Sequence, residues 1–128
     1  MVSAELAGGI IGLRPFVPSK DFALSKQFYS DLGFEVVSLG DGVAHVHIGE
    51  HAFLLQNYYV EQWAGNFMMH MGVTNLDRWW DHISALDLPS RYEVRAPMPP
   101  RIEPWGLRIV YVFDPSGVLW HFAEDPNK

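Results

Sequence analysis

Val17-Pro18-Ser19-Lys20-Asp21 has a counterpart 56 residues later in Val73-Thr74-Asn75-Leu76-Asp77, and this repeat decides the fold of the chain. Each stretch ends a short apolar segment typical of a strand and begins a segment with the apolar spacing of an amphipathic helix. Each predicted helix runs to a leucine, Leu32 or Leu86, and strand-like segments follow it. The repeat therefore predicts an α+β fold of two βαβββ modules, whose curved mixed sheets form a cleft.

Turn residues and periodicity set the predicted boundaries of the elements. The first helix is expected at residues 20–32, with Ser19 as its N-cap and Gly33 as the glycine that ends it. The second helix is expected at residues 76–86. Four prolines between residues 97 and 104 predict an irregular segment that a sheet interior would exclude. The predicted strands cover residues 12–17, 34–38, 43–48, 52–58, 67–73, 107–113 and 118–123, with a turn and a further strand within 88–96.

The composition indicates one compact domain with aromatic rings to spare. A chain of 128 residues fits one domain, residues 1–128, and its two halves (about 12–60 and 66–124) would be marginally stable alone. Aromatic residues make up 14% of the chain, and five Trp with eight Phe exceed what a small core needs. Some of these rings are therefore expected to line a pocket or an interface.

Charge and cysteine content exclude several classes of function. The formal net charge is -6 with both signs interspersed, so no basic stripe is present to neutralise nucleic-acid phosphates. The absence of cysteine removes disulfides, thiolate metal sites and thiol nucleophiles. No apolar run reaches the roughly 20 residues of a membrane span, and residues 1–13 lack the pattern of a secretory leader. The sequence therefore predicts a cytoplasmic protein with no nucleic-acid or membrane partner.

Two motifs give the chain a resemblance to a known family. The first is Phe28-Tyr29-Ser30-Asp31-Leu32-Gly33-Phe34, and the second is Asp114-Pro115-Ser116-Gly117 followed by Val118-Leu119-Trp120-His121-Phe122. With these two motifs and the repeat, the chain resembles the glyoxalase, bleomycin-resistance and extradiol-dioxygenase (vicinal oxygen chelate) superfamily over residues 12–124. One such fold hosts both binding and catalysis, so the residues of the site must decide between them.

Within that superfamily the chain looks closest to the bleomycin-resistance branch. Glu103-Pro104-Trp105-Gly106-Leu107-Arg108 looks like the branch's Pro-Trp-Gly segment, and Asn75-Leu76-Asp77 followed by paired aromatics looks like its second helix. Proteins of this branch bind a large glycopeptide-like antibiotic in clefts at a dimer interface and do no chemistry on it. The resemblance implies a homodimer that exchanges an N-terminal strand, and the apolar residues before Leu13 suit such an arm.

The resemblance also assigns four metal-ligand positions, which the superfamily's enzymes fill with His, Glu or Gln on cleft-facing strands. In this chain they fall at Arg14, Gln56, Met68 and His121, and a two-residue shift would bring in His70. Arg14 is permanently cationic and cannot ligate, and the Met68 thioether does not suit a hard catalytic ion. We therefore expect no metal or other cofactor, the alternative being a divalent metal on Gln56, His70 and His121.

His45-Val46-His47, with His51 four residues on, is a rival metal signal. Two histidines at i and i+2 on a strand face the same side, as they do in cupin-like metal sites. Two amphipathic helices at the repeat spacing are foreign to a cupin barrel. Half-exposed strand histidines are therefore the favoured interpretation.

The main function hypothesis is a metal-independent small-molecule-binding protein of the bleomycin-resistance type. An aromatic or cationic ligand would stack on Trp105, because an indole ring attracts both planar groups and cations. The alternative is an enzyme, either a glyoxalase-type lyase or an extradiol-type dioxygenase, and a third possibility is a dimeric scaffold that binds no ligand. The residues expected to contact a ligand are Arg14, Gln56, Met68, His70, Trp105 and His121.

Overall fold

The computed structural model describes residues 3–128 and contains two sheets with flanking helices. The first half contains α1 (Ala4–Gly8), β1 (Phe16–Pro18), α2 (Phe22–Leu32), β2 (Glu35–Ser38), β3 (Val43–Ile48), β4 (His51–Gln56) and α3 (Glu61–Ala64). The second half contains β5 (Met68–Gly72), α4 (Leu76–Ala85), α5 (Leu88–Tyr92), β6 (Arg101–Ile102), β7 (Arg108–Phe113) and β8 (Leu119–Glu124). None of the helices in residues 3–128 is long and apolar enough to cross a membrane.

The two sheets repeat one topology, which confirms the predicted α+β fold. The first sheet has the order β1-β4-β3-β2, and the second has the matching order β5-β8-β7-β6. In each sheet the first strand lies at an edge and pairs in parallel with the last strand, while the other pairs are antiparallel. Pro18 ends the edge strand β1, a position where its missing N–H costs no ladder bond.

The hydrophobic core is shared by the two halves. Successive side chains of a strand point to opposite faces, so each sheet has an inner face turned to the core and an outer face. On the inner faces, Trp120 of β8 packs against Phe34 and Phe53, with ring centroids 5.5 Å apart in both pairs. The helices α2 and α4 add Phe28 and Leu76 to the same buried cluster. The outer faces of the two sheets are not part of this core.

Buried hydrogen bonds also join the halves. The Tyr29 hydroxyl of α2 donates to Oδ2 of Asp114 (2.5 Å), which lies in the turn between β7 and β8. The indole N–H of Trp120 donates to the same hydroxyl (3.0 Å). Oδ1 of Asp114 accepts from the main-chain N–H groups of Ser116 and Val118. Oδ1 of Asp114 thus closes the turn between β7 and β8, and its second oxygen links the turn to the first half.

The two helices of the repeat begin at different points of the repeated stretch. Ser19 does not cap α2, contrary to prediction, because its hydroxyl donates to the main-chain carbonyl of Gln56 (2.7 Å) at the end of β4. Asp21 caps α2 instead, and its carboxylate accepts from the N–H of Leu24 (3.1 Å). Asn75, the counterpart of Ser19, does cap α4. The second helix therefore begins two residues earlier in the repeat than the first.

Residues 88–92 form a helix where the sequence predicted a turn followed by a strand. Leu88 and Tyr92 are four residues apart and both are buried, so one face of α5 packs on the core. Pro89 lies in the first turn, where a helix has no use for its missing N–H. Pro89 thus favours the start of a helix at this position. The order of elements in the second half is βααβββ.

The first strand is shorter than predicted. It covers Phe16–Pro18 rather than residues 12–17, and residues 3–15, which we call the N-terminal arm, are exposed throughout. The arm includes α1, a helix with no buried residue that Ser3 caps by accepting from the N–H of Leu6 (3.1 Å). Since no face of the arm is covered within the chain, its apolar side chains are available to a partner.

Candidate functional site

A row of polar rings crosses the outer face of the second sheet. His70 of β5 is the register partner of His121 of β8, and their ring centroids lie 5.8 Å apart. Tyr111 of β7 is the partner of His121 on its other side, with an edge-on contact of 4.9 Å between ring centroids. Strand alternation places the three side chains on one face. The structure thus brings together two of the predicted site residues and adds Tyr111.

His121 and Tyr111 offer this row hydrogen-bonding groups whose neutral forms are favoured. Burial lowers the pKa of His121, repulsion from His70 lowers it further, and Glu103 opposes both effects. Burial likewise raises the pKa of the Tyr111 phenol, with the Glu103 charge adding to the increase and Arg101 opposing it. A neutral imidazole offers one donor and one acceptor, and a phenol offers both. The face can therefore hold a polar group of a ligand without first pairing a full charge.

Apolar side chains flank the row at one end. Met68 lies on the outer face of β5 beside Leu119 of β8, its register partner, and is 59% exposed. An exposed thioether next to an apolar neighbour offers an adaptable contact surface for a ring or an alkyl group. Met68 is therefore placed where it could contact the same ligand as His70 and His121.

A cavity of about 290 Å³ opens on the other side of the row. Its floor is the outer face of β7, where Tyr111 and Phe113 contribute their rings. Its wall is the proline-rich segment between α5 and β6, from which Arg95 places its guanidinium over the Phe113 ring, 4.8 Å from the centroid. We call this cavity the β7 pocket. Tyr111 belongs to both the row and the pocket, so the two form one continuous surface.

Arg14 and Gln56 lie away from this surface. Gln56 ends β4 on the outer face of the first sheet, where it pairs with Val43 and Pro18. Arg14 belongs to the N-terminal arm and lines a separate cavity of about 510 Å³ with His45 and other residues. Since the sheets meet through their inner faces, these outer-face residues point away from the His70–His121 pair within one chain. The chain alone does not assemble all the predicted site residues.

Trp105 stands at the tip of the hairpin between β6 and β7. Its side chain is 60% exposed, and it does not line the β7 pocket. The main-chain N–H of Gly106 donates to the carbonyl of Glu103 (2.9 Å), and this hydrogen bond closes the turn that contains Trp105. Gly106 has φ of 96°, a value that glycine adopts without strain. The ring is therefore presented outward on a tight turn, and its stacking role stays a prediction.

The rival histidines occupy the outer face of the first sheet. His45 and His47 lie side by side with ring centroids 5.1 Å apart, and Nε2 of His47 lies 2.9 Å from a Glu35 carboxylate oxygen. Both histidines are half-buried, as favoured from the sequence, and His51 is exposed at the start of β4. This contact between strands β2 and β3 accounts for the orientation of His47.

The donor atoms present do not fit the superfamily's metal centre within one chain. Among residues 3–128, no group of three or more His, Cys, Asp or Glu side chains is arranged to hold a metal ion. His70 and His121 supply two neighbouring imidazoles, and the third predicted ligand, Gln56, lies on the other sheet. A catalytic divalent site needs three protein ligands with an open position. No chemical step is therefore assigned to a metal at this face.

Three residues of this surface were missed from the sequence. Tyr111 and Phe113 could have been found, because they alternate with buried valines in β7 and pair with the outer-face side of β8. Arg95 carries no such signal, since its position over Phe113 depends on the path of an irregular segment. Sequence periodicity predicts which side chains share one face of a strand, but it does not predict the path of an irregular loop.

Known proteins share this fold. A bleomycin-binding protein in complex with bleomycin is 20% identical with a TM-score of 0.74, covering 88% of this chain and 97% of that chain. A bleomycin-binding protein from bleomycin-producing Streptomyces verticillus was solved in complex with copper(II)-bleomycin. It is 23% identical with a TM-score of 0.74, and the match covers 97% of this chain and 98% of that chain. A lactoylglutathione lyase from Agrobacterium tumefaciens is 18% identical with a TM-score of 0.65, covering 88% and 92%. At these identities the likeness establishes the fold alone.

The sequence itself carries the family assignment. No curated protein matches the sequence. A family model described as the Glyoxalase/Bleomycin resistance protein/Dioxygenase superfamily matches residues 13–122, which is most of the chain and takes in both sheets except the last two residues of β8. The match agrees with the repeated strand order and with the motifs around Tyr29 and Asp114. The chain belongs to the glyoxalase/bleomycin resistance protein/dioxygenase superfamily.

Proposed function

We propose that this protein binds an antibiotic-like small molecule, aromatic or cationic, on the outer face of the second sheet, in the manner of a bleomycin-resistance protein and without a metal. The observation that carries the proposal is the row formed by His70, His121 and Tyr111. Ligand sites combine apolar walls with a few convergent polar groups, and this face has both. Bleomycin-binding proteins among the structural neighbours, solved with their ligand, support the same class of function.

The row favours binding over catalysis. A general base or acid works best when its pKa lies near the working pH, and the pKa of His121 is lowered by burial and by His70. A neutral imidazole next to a phenol suits the fixed hydrogen bonds of a binding site.

The ligand is expected to present a planar ring, and a cationic group is the second option. Trp105 offers an exposed indole, and Tyr111 and Phe113 offer two further rings beside the row. The net charge of -6 attracts cations at long range, which is a weak preference because salt screens it within about 10 Å. Stacking therefore carries more of the expected affinity than charge.

We propose that the protein acts as a homodimer that exchanges its N-terminal arm. Four large apolar side chains of the arm are 68% to 94% exposed: Leu6, Ile10, Ile11 and Leu13. An apolar stretch of this kind, uncovered within the chain, is typical of a protein interface. A second subunit would also be the only source of a Gln56 or Arg14 facing the second sheet. A cytoplasmic location stays a prediction.

A metal-dependent lyase or dioxygenase is the second candidate, and one observation favours it. His70 and His121 are close enough to share a ligand or an ion, with ring centroids 5.8 Å apart. A third donor, such as Gln56 from a partner subunit, would be needed to complete a centre. The lactoylglutathione lyase among the structural neighbours is consistent with this candidate.

Calorimetric titration of chelator-treated protein with bleomycin tests the proposal. We expect saturable binding without added metal, and we expect His121→Ala to weaken it about tenfold because a buried hydrogen bond is lost. His82→Ala is the matched control, since it removes an exposed histidine of α4 that lies outside the row, and it should leave affinity unchanged. A divalent metal that binds the chelator-treated protein in the absence of bleomycin would support the enzyme instead. If bleomycin does not bind with or without metal, the dimeric scaffold that binds no ligand becomes the favoured function.

A further inference from the structure

The β7 pocket has the size of a small aromatic group. Its volume is about 290 Å³, roughly twice that of an engineered cavity of about 150 Å³ that takes up benzene. Rings and apolar side chains line most of it, with Ile109, Tyr111 and Phe113 on one side and Met98 on the other. One substituted ring or two fused rings would fill this space.

The wall of the pocket is stiff. Pro97, Pro99 and Pro100 lie in the segment between α5 and β6, and each proline fixes its own φ. The segment begins at Glu93, which ends α5 in a left-handed conformation with φ of 55°. A loop held in this way loses little freedom when a ligand enters, which favours binding.

The charge of the pocket is positive, against the sign of the whole chain. Two of its lining residues are arginines, and no Asp or Glu lines it. Arg101 is already paired, because its Nε donates to Oε1 of the buried Glu103 (2.7 Å). Arg95 has no carboxylate partner among residues 3–128 and lies over Phe113. One guanidinium is thus left to meet a ligand.

We infer that the β7 pocket selects an aromatic acid, a planar ring that carries a carboxylate, and this inference rests on the proposed function. The ring lies against Tyr111 and Phe113, and the carboxylate pairs with Arg95 while the Tyr111 hydroxyl donates a hydrogen bond to it. A guanidinium matches a carboxylate in geometry as well as in charge. The site therefore prefers an anionic ring to a cationic one of the same shape.

Isothermal titration of the full chain with three naphthalene probes tests this inference. Naphthoate, naphthamide and naphthylmethylamine share one ring system and differ in charge. We expect naphthoate to bind at least about tenfold more tightly than the amide, and the amine to bind more weakly than either. Arg95→Gln should weaken naphthoate about tenfold and change naphthamide less than about twofold, while Arg95→Lys should restore part of the loss.

Arg78→Gln is the matched control, because Arg78 is an exposed arginine of α4 that does not line the pocket. Melting temperatures of all variants show whether each one folds. Equal affinity for naphthoate and naphthamide, or an Arg95→Gln variant that binds naphthoate normally, would overturn the inference. If no probe binds but bleomycin still does, the pocket inference fails and the proposed function stands. If neither the probes nor bleomycin bind, both fail.

Discussion

Tyr29 and Asp114 meet in the buried core through a hydrogen bond of 2.5 Å that joins α2 of the first half to the turn between β7 and β8 of the second. Both residues belong to the two motifs that carry the family resemblance. The bond therefore gives those motifs a structural role: they hold the two sheets in a fixed relation, with the candidate site on the far side of the second sheet.

The titration of Asp114 should make the free energy of unfolding depend on pH. Burial raises the pKa of Asp114 to about 6, although hydrogen bonds from Tyr29 and from main-chain N–H groups oppose the increase. The folded state thus holds a proton that the unfolded state loses near pH 4. The stability contributed by Asp114 is complete below about pH 4 and is lost as pH rises to about 6.

Urea unfolding of wild type and Asp114→Asn between pH 4 and pH 7 measures this effect. The stability of wild type relative to the variant should fall by on the order of 3 kcal/mol across that range, a figure set by a shift of about two pH units. Using the difference between the proteins removes the opposite contribution of Asp77, whose pKa Arg108 lowers. A difference that does not change with pH would contradict the assignment.

Removal of the Tyr29 hydroxyl should destabilise both halves at once. Tyr29→Phe leaves Oδ2 of Asp114 and the indole N–H of Trp120 without this partner, at a cost of about 2–4 kcal/mol. Because the halves share one core, unfolding should stay a single transition when it is followed by tryptophan fluorescence and by circular dichroism. Tyr58→Phe, at an exposed tyrosine, is the control. Two separated transitions would mean that the halves are independent domains.

Trp105→Ala should separate ligand binding from stability. The ring is 60% exposed, so its loss should change the free energy of unfolding by less than about 0.5 kcal/mol. If the ring stacks on the ligand, affinity for bleomycin should fall about threefold to tenfold. Fluorescence titration of the variant measures the affinity, and unchanged binding would remove Trp105 from the site.

The N-terminal arm should control the oligomeric state. Leu13 is 94% exposed within one chain, and Leu13→Asp would place a charge in an interface that buries it, which is strongly unfavourable. Light scattering after size-exclusion chromatography should show a dimer for wild type and a monomer for the variant. Ser38→Asp, at an exposed position on β2, is the charge-matched control. A wild-type monomer would contradict the proposed dimer.

Much of the fold could be predicted because its cause is local. The repeat places two helices and two sets of strands, and Gly33 ends α2 as expected, with its N–H bonded to Tyr29 and Ser30 carbonyls. The start of α2 could not be predicted, because the Ser19 hydroxyl donates a hydrogen bond to Gln56, 37 residues distant in sequence, and does not cap the helix. Such a competition is decided by tertiary contacts.

The candidate site was only half predictable for a similar reason. His70 and His121 follow from the motifs and from strand alternation, and the sheet register brings them together. The separation of Gln56 from this pair depends on how the two sheets pack, and the position of Arg95 depends on the return of a loop. Neither property has a periodicity that a sequence displays.

Elemental analysis of protein purified without a His-tag tests the central claim, metal-independent ligand binding, most directly. At known protein concentration we expect less than about a tenth of a divalent ion per chain, because no three donors of the kind that a catalytic centre requires lie together among residues 3–128. About one ion per chain, or one per two chains, would contradict the claim. It would favour the alternative account, a metal centre that His70 and His121 complete with a donor from a second subunit.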